Sequence, residues 1–525
     1  MFKTLLTLLF AVCALSAQAA PDPALVRQLA DEDSSQKVAA IQQLTQTADP
    51  DTLRVLKAMS EDSLYLAGDK VVVIDGDAAF DAASGAAIKK PETADAVTVN
   101  NRLRGELANA LAALKLFDAD PAVRLASAQK LQSSVSPAMV PLLARALAQE
   151  SDEKIKSLLT LAHAQANLGN RDPAARLAAV RALAKTSSPA IKTALLPLTD
   201  KANEADSRVR YAAISAVKAI DSNLSRTEKI GQIFSGLSLG SILLLGALGL
   251  AITYGVMGII NMAHGELLMV GAYSAYAMQS LFRSYFPEAI DWYLLAAVPV
   301  GFFAAALVGV VMERTVIRWL YGRTLETLLA TWGLSLVMIQ GARLLFGAQN
   351  VEVANPSWMS SGIELLPNLV LPWNRLIIIG FALFVLALVW VLMNKTRLGM
   401  FVRAVTQNRQ MAGCVGVPTS RIDTLAFALG AGIAGLGGVA LSQISNVGPD
   451  MGQGYIVDAF MVVVLGGVGQ LAGAVWAALG LGVVTKLLEG WAGAVIAKIV
   501  ALVFIIIFIQ KRPQGLFALK GRFVE

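Results

Sequence analysis

Tyr254-Gly255-Val256-Met257-Gly258-Ile259-Ile260-Asn261-Met262-Ala263-His264-Gly265-Glu266 sets an amide, an imidazole and a carboxylate close together inside a long apolar region. Such groups are costly in hydrocarbon, and they normally face a bundle interior or a water-filled path. Gly255, Gly258 and Gly265 allow the backbone to break or to pack closely. On a regular helix Asn261 and His264 share a face, while Glu266 lies about 200° from His264, at about 100° per residue. A single cluster therefore requires an irregular chain. Two readings stand side by side. In one, a broken helix lines a translocation path, with Asn261, His264 and Glu266 as its candidates. In the other, His264 and Glu266 brace two different neighbouring helices. Nothing in the stretch demands a proton relay.

Outward from it, the chain from Gly231 onward is a succession of apolar runs: roughly 231–253, 256–281, 292–312, 327–346, 373–393, 422–444, 456–484 and 493–510. A membrane helix needs about 20 apolar residues. The run 456–484 is long and broken by Gly466-Gly467-Val468-Gly469, so it reads as one span or as a hairpin of two short helices. Composition agrees. Of the first 230 residues 53 are charged, against 29 of the remaining 295, where a soluble chain carries about 25% charge. The chain therefore combines one soluble domain with one bilayer-embedded domain. Its net charge is +6, and residues 231–525 hold 17 Lys+Arg against 12 Asp+Glu. There the excess reads as membrane topology, because basic residues collect in cytoplasmic loops. No nucleic-acid partner is expected. Two Cys and two His exclude a disulfide framework and the usual zinc clusters. No metal site and no cofactor are expected.

The opening MFKTLLTLLFAVCALSAQAA has the form of a signal peptide. Lys3 is its basic start, Leu5–Leu15 its apolar core and Ala17-Gln18-Ala19 its small-residue cleavage pattern. The domain that follows is then extracytoplasmic. Arg314, Arg318 and Arg323 fall in one loop; Lys395, Arg397, Arg403, Arg409 and Arg421 in another; Lys511, Arg512, Lys520 and Arg522 in the tail. With those segments cytoplasmic and the N-terminal domain outside, the number of crossings is odd. Splitting 456–484 makes nine.

Residues 21–225 read as mostly helical and repetitive. Asp120-Pro121-Ala122-Val123-Arg124, Asp172-Pro173-Ala174-Ala175-Arg176 and Asp206-Ser207-Arg208-Val209-Arg210 are alike, and Asp152-Glu153-Lys154 is a weaker fourth start. Asp caps the free amides of a first turn, and Pro suits the first helical position. The Asp-to-Asp spacings of 32, 20 and 34 are irregular, yet the pattern resembles HEAT-like helical repeats. Val71-Val72-Val73-Ile74 followed by Asp75-Gly76 interrupts it as a strand and turn. Such arrays serve as binding or scaffolding surfaces. His163 has no partner His or Cys in sequence and reads as structural.

Two further stretches carry information. The basic loop 394–421 holds Arg403-Ala404-Val405-Thr406-Gln407-Asn408-Arg409, then Ala412-Gly413 and Gly416-Val417-Pro418, which suggests a short helix with a close-packing face. Gly430-Ala431-Gly432-Ile433-Ala434-Gly435 matches the dinucleotide pattern, but no strand precedes it and it lies in an apolar span. It reads as small residues that let helices approach. No Walker A sequence is present, so this sequence supplies no standard ATP site of its own.

Together, Gly258–Glu266, the loop from Leu398-Gly399 to Arg403-Ala404, and Gly430–Gly438 resemble the permeases of branched-chain amino-acid ABC transporters, the LivH-like family. The resemblance spans about residues 230–520. Arg403–Arg409, the tail Arg512–Arg522 and the leader-bearing N-terminal domain are most similar to its urea-transporter (UrtB-type) subgroup. The resemblance implies an inner-membrane transport subunit rather than an enzyme. Its partners would be a second homologous permease, two ABC ATPase subunits and a periplasmic substrate-binding protein, with the lipid bilayer around it. Urea or a short amide would be the small-molecule substrate. Loop 394–421 would meet the ATPase, with Arg403, Ala404, Asn408, Arg409, Ala412 and Gly416 as coupling candidates.

The expected fold is all-α. A multipass transmembrane helical bundle of about eight or nine spans (226–525) follows a signal peptide (1–20) and a periplasmic HEAT-like helical-repeat domain with a small β insertion (21–225). The C-terminal tail would be cytoplasmic. A branched-chain amino-acid importer is the alternative on the same fold. From other classes come an extracytoplasmic sensor or scaffold on a membrane anchor, and an ion-coupled carrier using Glu266 and Asp458.

Overall fold

The computed structural model describes residues 21–517 apart from 48, 49, 77, 92, 133, 134 and 367. The expected leader and the tail residues Lys520 and Arg522 lie outside the described residues. The chain divides into two compact units at Leu224/Ser225.

The first unit begins with helices α1 (Pro23–Gln28), α2 (Ser34–Thr47) and α3 (Pro50–Ser60). Strands β1 (Leu64–Ala67), β2 (Lys70–Asp75), β3 (Ala78–Asp81), β4 (Ala87–Ile88) and β5 (Asp95–Ala96) follow. They form one antiparallel sheet in the order β4-β3-β2-β1-β5. The strand expected at Val71–Ile74 is thus one of five, paired so that Leu64 faces Val73. Helix α4 (Asn101–Leu114) comes next. Leu64, Val71 and Ala82 join Ile41 and Leu44 of α2 and Leu103 and Leu107 of α4 in one apolar core.

Helices α5 (Pro121–Leu131), α6 (Val140–Gln149), α7 (Glu153–Ala166), α8 (Pro173–Leu183) and α9 (Pro189–Leu195) complete the array before α10 (Ser207–Met257). Each expected start is capped by its aspartate: Asp120 Oδ1 accepts from Ala122 N, Asp152 Oδ1 from Lys154 N, Asp172 Oδ1 from Ala174 N and Asp206 Oδ1 from Arg208 N, at 2.7–2.9 Å. Arginines tie one start to the next. Arg124 Nε and Nη2 donate to Glu150 at 2.9 and 3.1 Å, and Glu150 accepts from the amides of Ser151 and Asp152. Arg176 grips Glu204 in the same way at 2.6 and 2.7 Å, and Glu204 accepts from Asp206 N. His163 bonds Asn167, one turn on at the C-terminal end of its helix.

The second unit contains the C-terminal part of α10, then α11 (His264–Tyr285), α12 (Tyr293–Thr315), α13 (Thr324–Phe346) and the hairpin β6 (Gly362–Leu366) and β7 (Leu369–Pro372). Helix α14 (Trp373–Lys395), the short α15 (Arg397–Gln407) and α16 (Arg409–Cys414), and α17 (Thr419–Leu441) come next. Last are α18 (Met451–Gly466), α19 (Leu471–Ala492) and α20 (Ala494–Lys511).

Among the described residues seven helices are long and apolar enough to cross a membrane by length and composition, against the eight or nine runs read in the sequence. Two apolar runs fall short. Helix α18 has only 16 residues, and α11 carries His264, Glu266 and Arg283 along its length. The run 456–484 divides into α18 and α19, with Gly467 at φ 101° and Gly469 at φ 75°, a backbone that side-chain-bearing residues rarely adopt.

Helix α17 is the hub, and its small residues are where neighbours come closest. A Cβ on Gly430 would lie 2.6 Å from Gly249 O, and one on Gly435 would lie 2.5 Å from Gly301 O. Cβ atoms on Gly271 and Gly438 would collide with the carbonyls of Gly435 and Leu268. The Gly430–Gly438 stretch is therefore a helix-packing surface, since lipid offers no hydrophobic drive and contact must come from close approach.

Candidate functional site

The break between α10 and α11 is built by Gly258, at φ 67°, after which residues 258–263 leave the helical path. Asn261 closes the turn that precedes the next helix: its Oδ1 accepts from Ala263 N at 3.0 Å and its carbonyl from His264 N at 3.3 Å. The amide of Met262 donates to Thr331 Oγ1 of α13 at 3.1 Å. Asn261, His264 and Glu266 are all buried, at 2%, 0% and 1% exposure.

The irregular chain does not gather the three side chains into one cluster. His264 Nε2 bonds Gly246 O of α10 at 3.0 Å, and its ring lies 3.1 Å from where a Cβ on Gly249 would sit, behind the nearer Gly430 carbonyl. Glu266 Oε1 accepts from Ser335 Oγ of α13 at 3.0 Å, while Oε2 lies against Gly452 of α18. The imidazole and the carboxylate thus brace different helices. Each of the three also keeps one buried polar atom without a partner among the described residues: Asn261 Nδ2, His264 Nδ1 and Glu266 Oε2. Leaving such groups unsatisfied costs about 1–3 kcal/mol each, so they are the chemically available groups of this break.

Asp458, the other intramembrane acid noted in the sequence, pairs with Lys498 Nζ at 3.5 Å. Its charge is matched by the protein. A second polar group, absent from the sequence reading, joins α11, α12 and the segment after α17. Tyr293 Oη donates to Ala354 O at 2.8 Å and lies 3.2 Å from Gln443 Oε1, and Gln279 Nε2 donates to Ala354 O at 2.8 Å. Scattered Gln and Tyr residues carry no spacing signal; only the fold brings them together.

In loop 394–421, the six coupling candidates divide by environment. Ala412 is buried at 4% exposure and Ala404 is half-buried, so both face the protein. Asn408 Oδ1 caps α16 by accepting from Met411 N at 2.9 Å, and Arg403 reaches Asn394 Oδ1 at 3.3 Å. Arg409 is paired with the fully buried Asp423, and its guanidinium lies 5.0 Å from the Tyr321 ring centroid. Buried Glu313 completes this knot, accepting from Thr424 Oγ1 at 2.8 Å and Tyr321 Oη at 3.3 Å. Gly416, at φ 88° with open space around it, and the exposed Met400, Met411 and Val415 form the outward side. Glu313 and Asp423 were missed in the sequence because each sits at the end of an apolar run, where a solvated charge is the ordinary reading.

Among the described residues no group of three or more His, Cys, Asp or Glu could hold a metal ion. Residues 232–509 match the family described as branched-chain amino acid transport system, permease component. LivH of Salmonella typhimurium, a high-affinity branched-chain amino acid transport system permease protein, is 30% identical over 296 residues, covering 54% of this chain and 94% of LivH. BraD of Pseudomonas aeruginosa, with the same description, is 28% identical over 291 residues, covering 54% of this chain and 94% of BraD. The ribose import permease RbsC of Escherichia coli is 25% identical over 279 residues, covering 51% of this chain and 80% of its own. No solved structure matches the chain. The matched segment contains the broken helix, the glycine-packed hub and the 394–421 loop. On that match, which takes in over half of its length, the chain belongs to the family of branched-chain amino acid transport system permease components, a multipass membrane transport subunit rather than an enzyme.

Proposed function

We propose that this chain is the permease subunit of an ATP-driven ABC importer for urea or short amides. It works with a second homologous permease, two ABC ATPase subunits and a periplasmic substrate-binding protein. The observation that carries the reading is the broken helix at Gly258–Glu266, with three buried polar atoms to spare inside a family-matched transport segment. With Nε2 donating to Gly246 O, Nδ1 of His264 is an acceptor. Glu266 Oε2 is a second acceptor and Asn261 Nδ2 a donor. Urea, small, flat and uncharged, brings two NH₂ groups and one carbonyl, so each of these separate groups matches one of its hydrogen-bonding atoms and no fixed charge is needed along its path. The subgroup likeness of Arg403–Arg409 and the tail supports the same substrate.

Branched-chain amino acids are the second reading, favoured by the described activity of LivH and BraD. Deleting the gene decides between them. Loss of micromolar labelled-urea uptake with leucine uptake spared supports urea; loss of leucine uptake with urea spared establishes the amino-acid reading.

In this reading the N-terminal unit is a periplasmic HEAT-like array behind a cleaved leader. Nine crossings, α10 to α14 and α17 to α20, place the tail in the cytoplasm. A reporter active only in the cytoplasm, fused after Asp200, is then silent, and activity there overturns the topology. Loop 394–421 carries the ATPase stroke through Arg403, Ala404, Asn408, Arg409, Ala412 and Gly416. Bulk at Ala412 or Gly416 also disturbs the fold, because one is buried and the other has a positive φ. Exposed Val415 is the cleaner probe: Val415→Asp leaves the permease in the membrane and abolishes ATP-driven uptake.

A further inference from the structure

Helix α10 opens with the same device as α5 and α8, but one part of it has no counterpart. Arg124, Arg176 and Arg210 each lie four residues after a capping aspartate. In all three, Nη1 donates to two carbonyls just before the cap. The distances are 3.0 and 3.1 Å to Asp118 and Ala119, 2.8 and 3.1 Å to Asn170 and Arg171, and 2.8 and 2.8 Å to Glu204 and Ala205. In the first two, the opposite edge of the guanidinium is closed by a carboxylate, Glu150 or Glu204. The Nε and Nη2 of Arg210 have no acceptor among the described residues. The closing acid follows its arginine by 26 or 28 residues. The same offsets from Arg210 fall on Gly236 and Ser238, which carry no charge.

The molecule therefore shows twice which group fits this fork: a glutamate, held by two parallel charge-assisted bonds. Beside the open fork, the same helix presents Tyr211 at 73% exposure and Ile214 at 48%. Ile214 is a surface neighbour of both, four positions after Arg210 and three after Tyr211. Repeat arrays are normally closed by a polar outer face. This one ends instead on an arginine whose outer edge has no acceptor among the described residues, beside an exposed tyrosine and isoleucine; arginine and tyrosine are types enriched where protein interfaces are anchored.

We propose that this end of the N-terminal unit docks another protein, whose Glu or Asp side chain enters the Arg210 fork while an apolar neighbour covers Tyr211 and Ile214. The inference stands apart from the choice of transported substrate, since it uses only residues of the N-terminal unit.

The test places a benzophenone amino acid at position 211 of the full-length protein in its native membrane. The expected product joins a different polypeptide, with an Asp or Glu in or beside the crosslinked peptide. Arg210→Lys keeps a cation within reach of the Glu204 and Ala205 carbonyls but cannot close a bidentate pair. It should lower the crosslink roughly tenfold, the loss of one good charge-assisted contact. Ile214→Asp, which leaves the arginine network untouched, should lower it as well. Membrane levels and melting temperature should match the parent protein for both. Arg210→Glu should abolish the product, and Arg in place of the partner's acid should restore it. Crosslinks confined to the chain itself, to a second copy or to lipid overturn the proposal. So does a product indifferent to both variants, or none at all.

Discussion

In the N-terminal unit, consecutive helix starts are tied together by Arg124–Glu150 and Arg176–Glu204, with aspartates closing the first turns. In the membrane unit, α11, α12 and α17 meet at Gly271, Gly301, Gly435 and Gly438, with hardly a charge between them. The difference follows from the solvent. In water, apolar burial already drives helices together, and charged forks at the edges set their register. In lipid the surroundings are as apolar as the side chains, so association depends on how near two backbones can come. Among the described residues a buried charge there is matched, as with Arg409 on Asp423, or held by a single hydroxyl with one oxygen unpartnered, as with Glu266.

The sharpest way to break that contrast is to add bulk. Gly271→Leu drives a side chain into the Gly435 carbonyl, whereas the position at Gly480 opens onto free space. We expect the first to cost about 3 kcal/mol or more and to remove folded permease from the membrane, read by fluorescence-detected size exclusion. Gly480→Leu should be silent. Equal losses at the two sites would mean that close approach is not what holds the bundle.

In the N-terminal unit, Glu204→Ala leaves Arg176 without its carboxylate and the Asp206 amide without its acceptor. A loss of about 2–3 kcal/mol is expected, measured by thermal melting of the detergent-solubilised protein. Arg27→Ala breaks a pair whose side chains are 54% and 88% exposed, and should stay within about 0.5 kcal/mol.

Smaller effects refine the picture. Ser335→Ala removes the one donor to Glu266 and should cost about 1–2 kcal/mol and lower uptake. His264→Ala should lower uptake without displacing its pH optimum, because the ring acts by hydrogen bonding to α10; a displaced optimum would indicate proton chemistry. In the N-terminal unit the fork of Arg124, helped by the Asp152 and Ser151 amides, holds the Glu150 carboxyl down at about 2, from an ordinary 4.5. A depressed carboxylate stabilises the fold above its unfolded value, and that stabilisation is lost as pH falls through the folded one. The melting-temperature gap between Glu150→Gln and the parent protein should therefore be full at pH 7 and fade between about 4.5 and 2. A gap that persists at the acid end would remove the ion pair from the account.

Much of this was legible in the chain. Apolar run length and charge density separate a soluble unit from a membrane unit, because burial in water and burial in lipid require different compositions. The four aspartate starts were readable because capping is local: donor and acceptor lie within three residues. The division of 456–484 was readable because the Gly466-Gly467-Val468-Gly469 stretch permits a turn that other residues resist. What the sequence could not decide was partnership at a distance. Asn261, His264 and Glu266 offered either one lining, if the helix breaks, or two braces from His264 and Glu266. Tertiary packing chose braces, by placing Gly246 against His264 and both Ser335 and Gly452 against Glu266, while Asn261 bonds its own turn. Arg409 looked like a free contact residue until Asp423 and Tyr321 closed on it. A hydrogen bond is decided by where two atoms finish in space, and only the assembled helices bring residues 69 to 111 positions apart within 3 Å of each other.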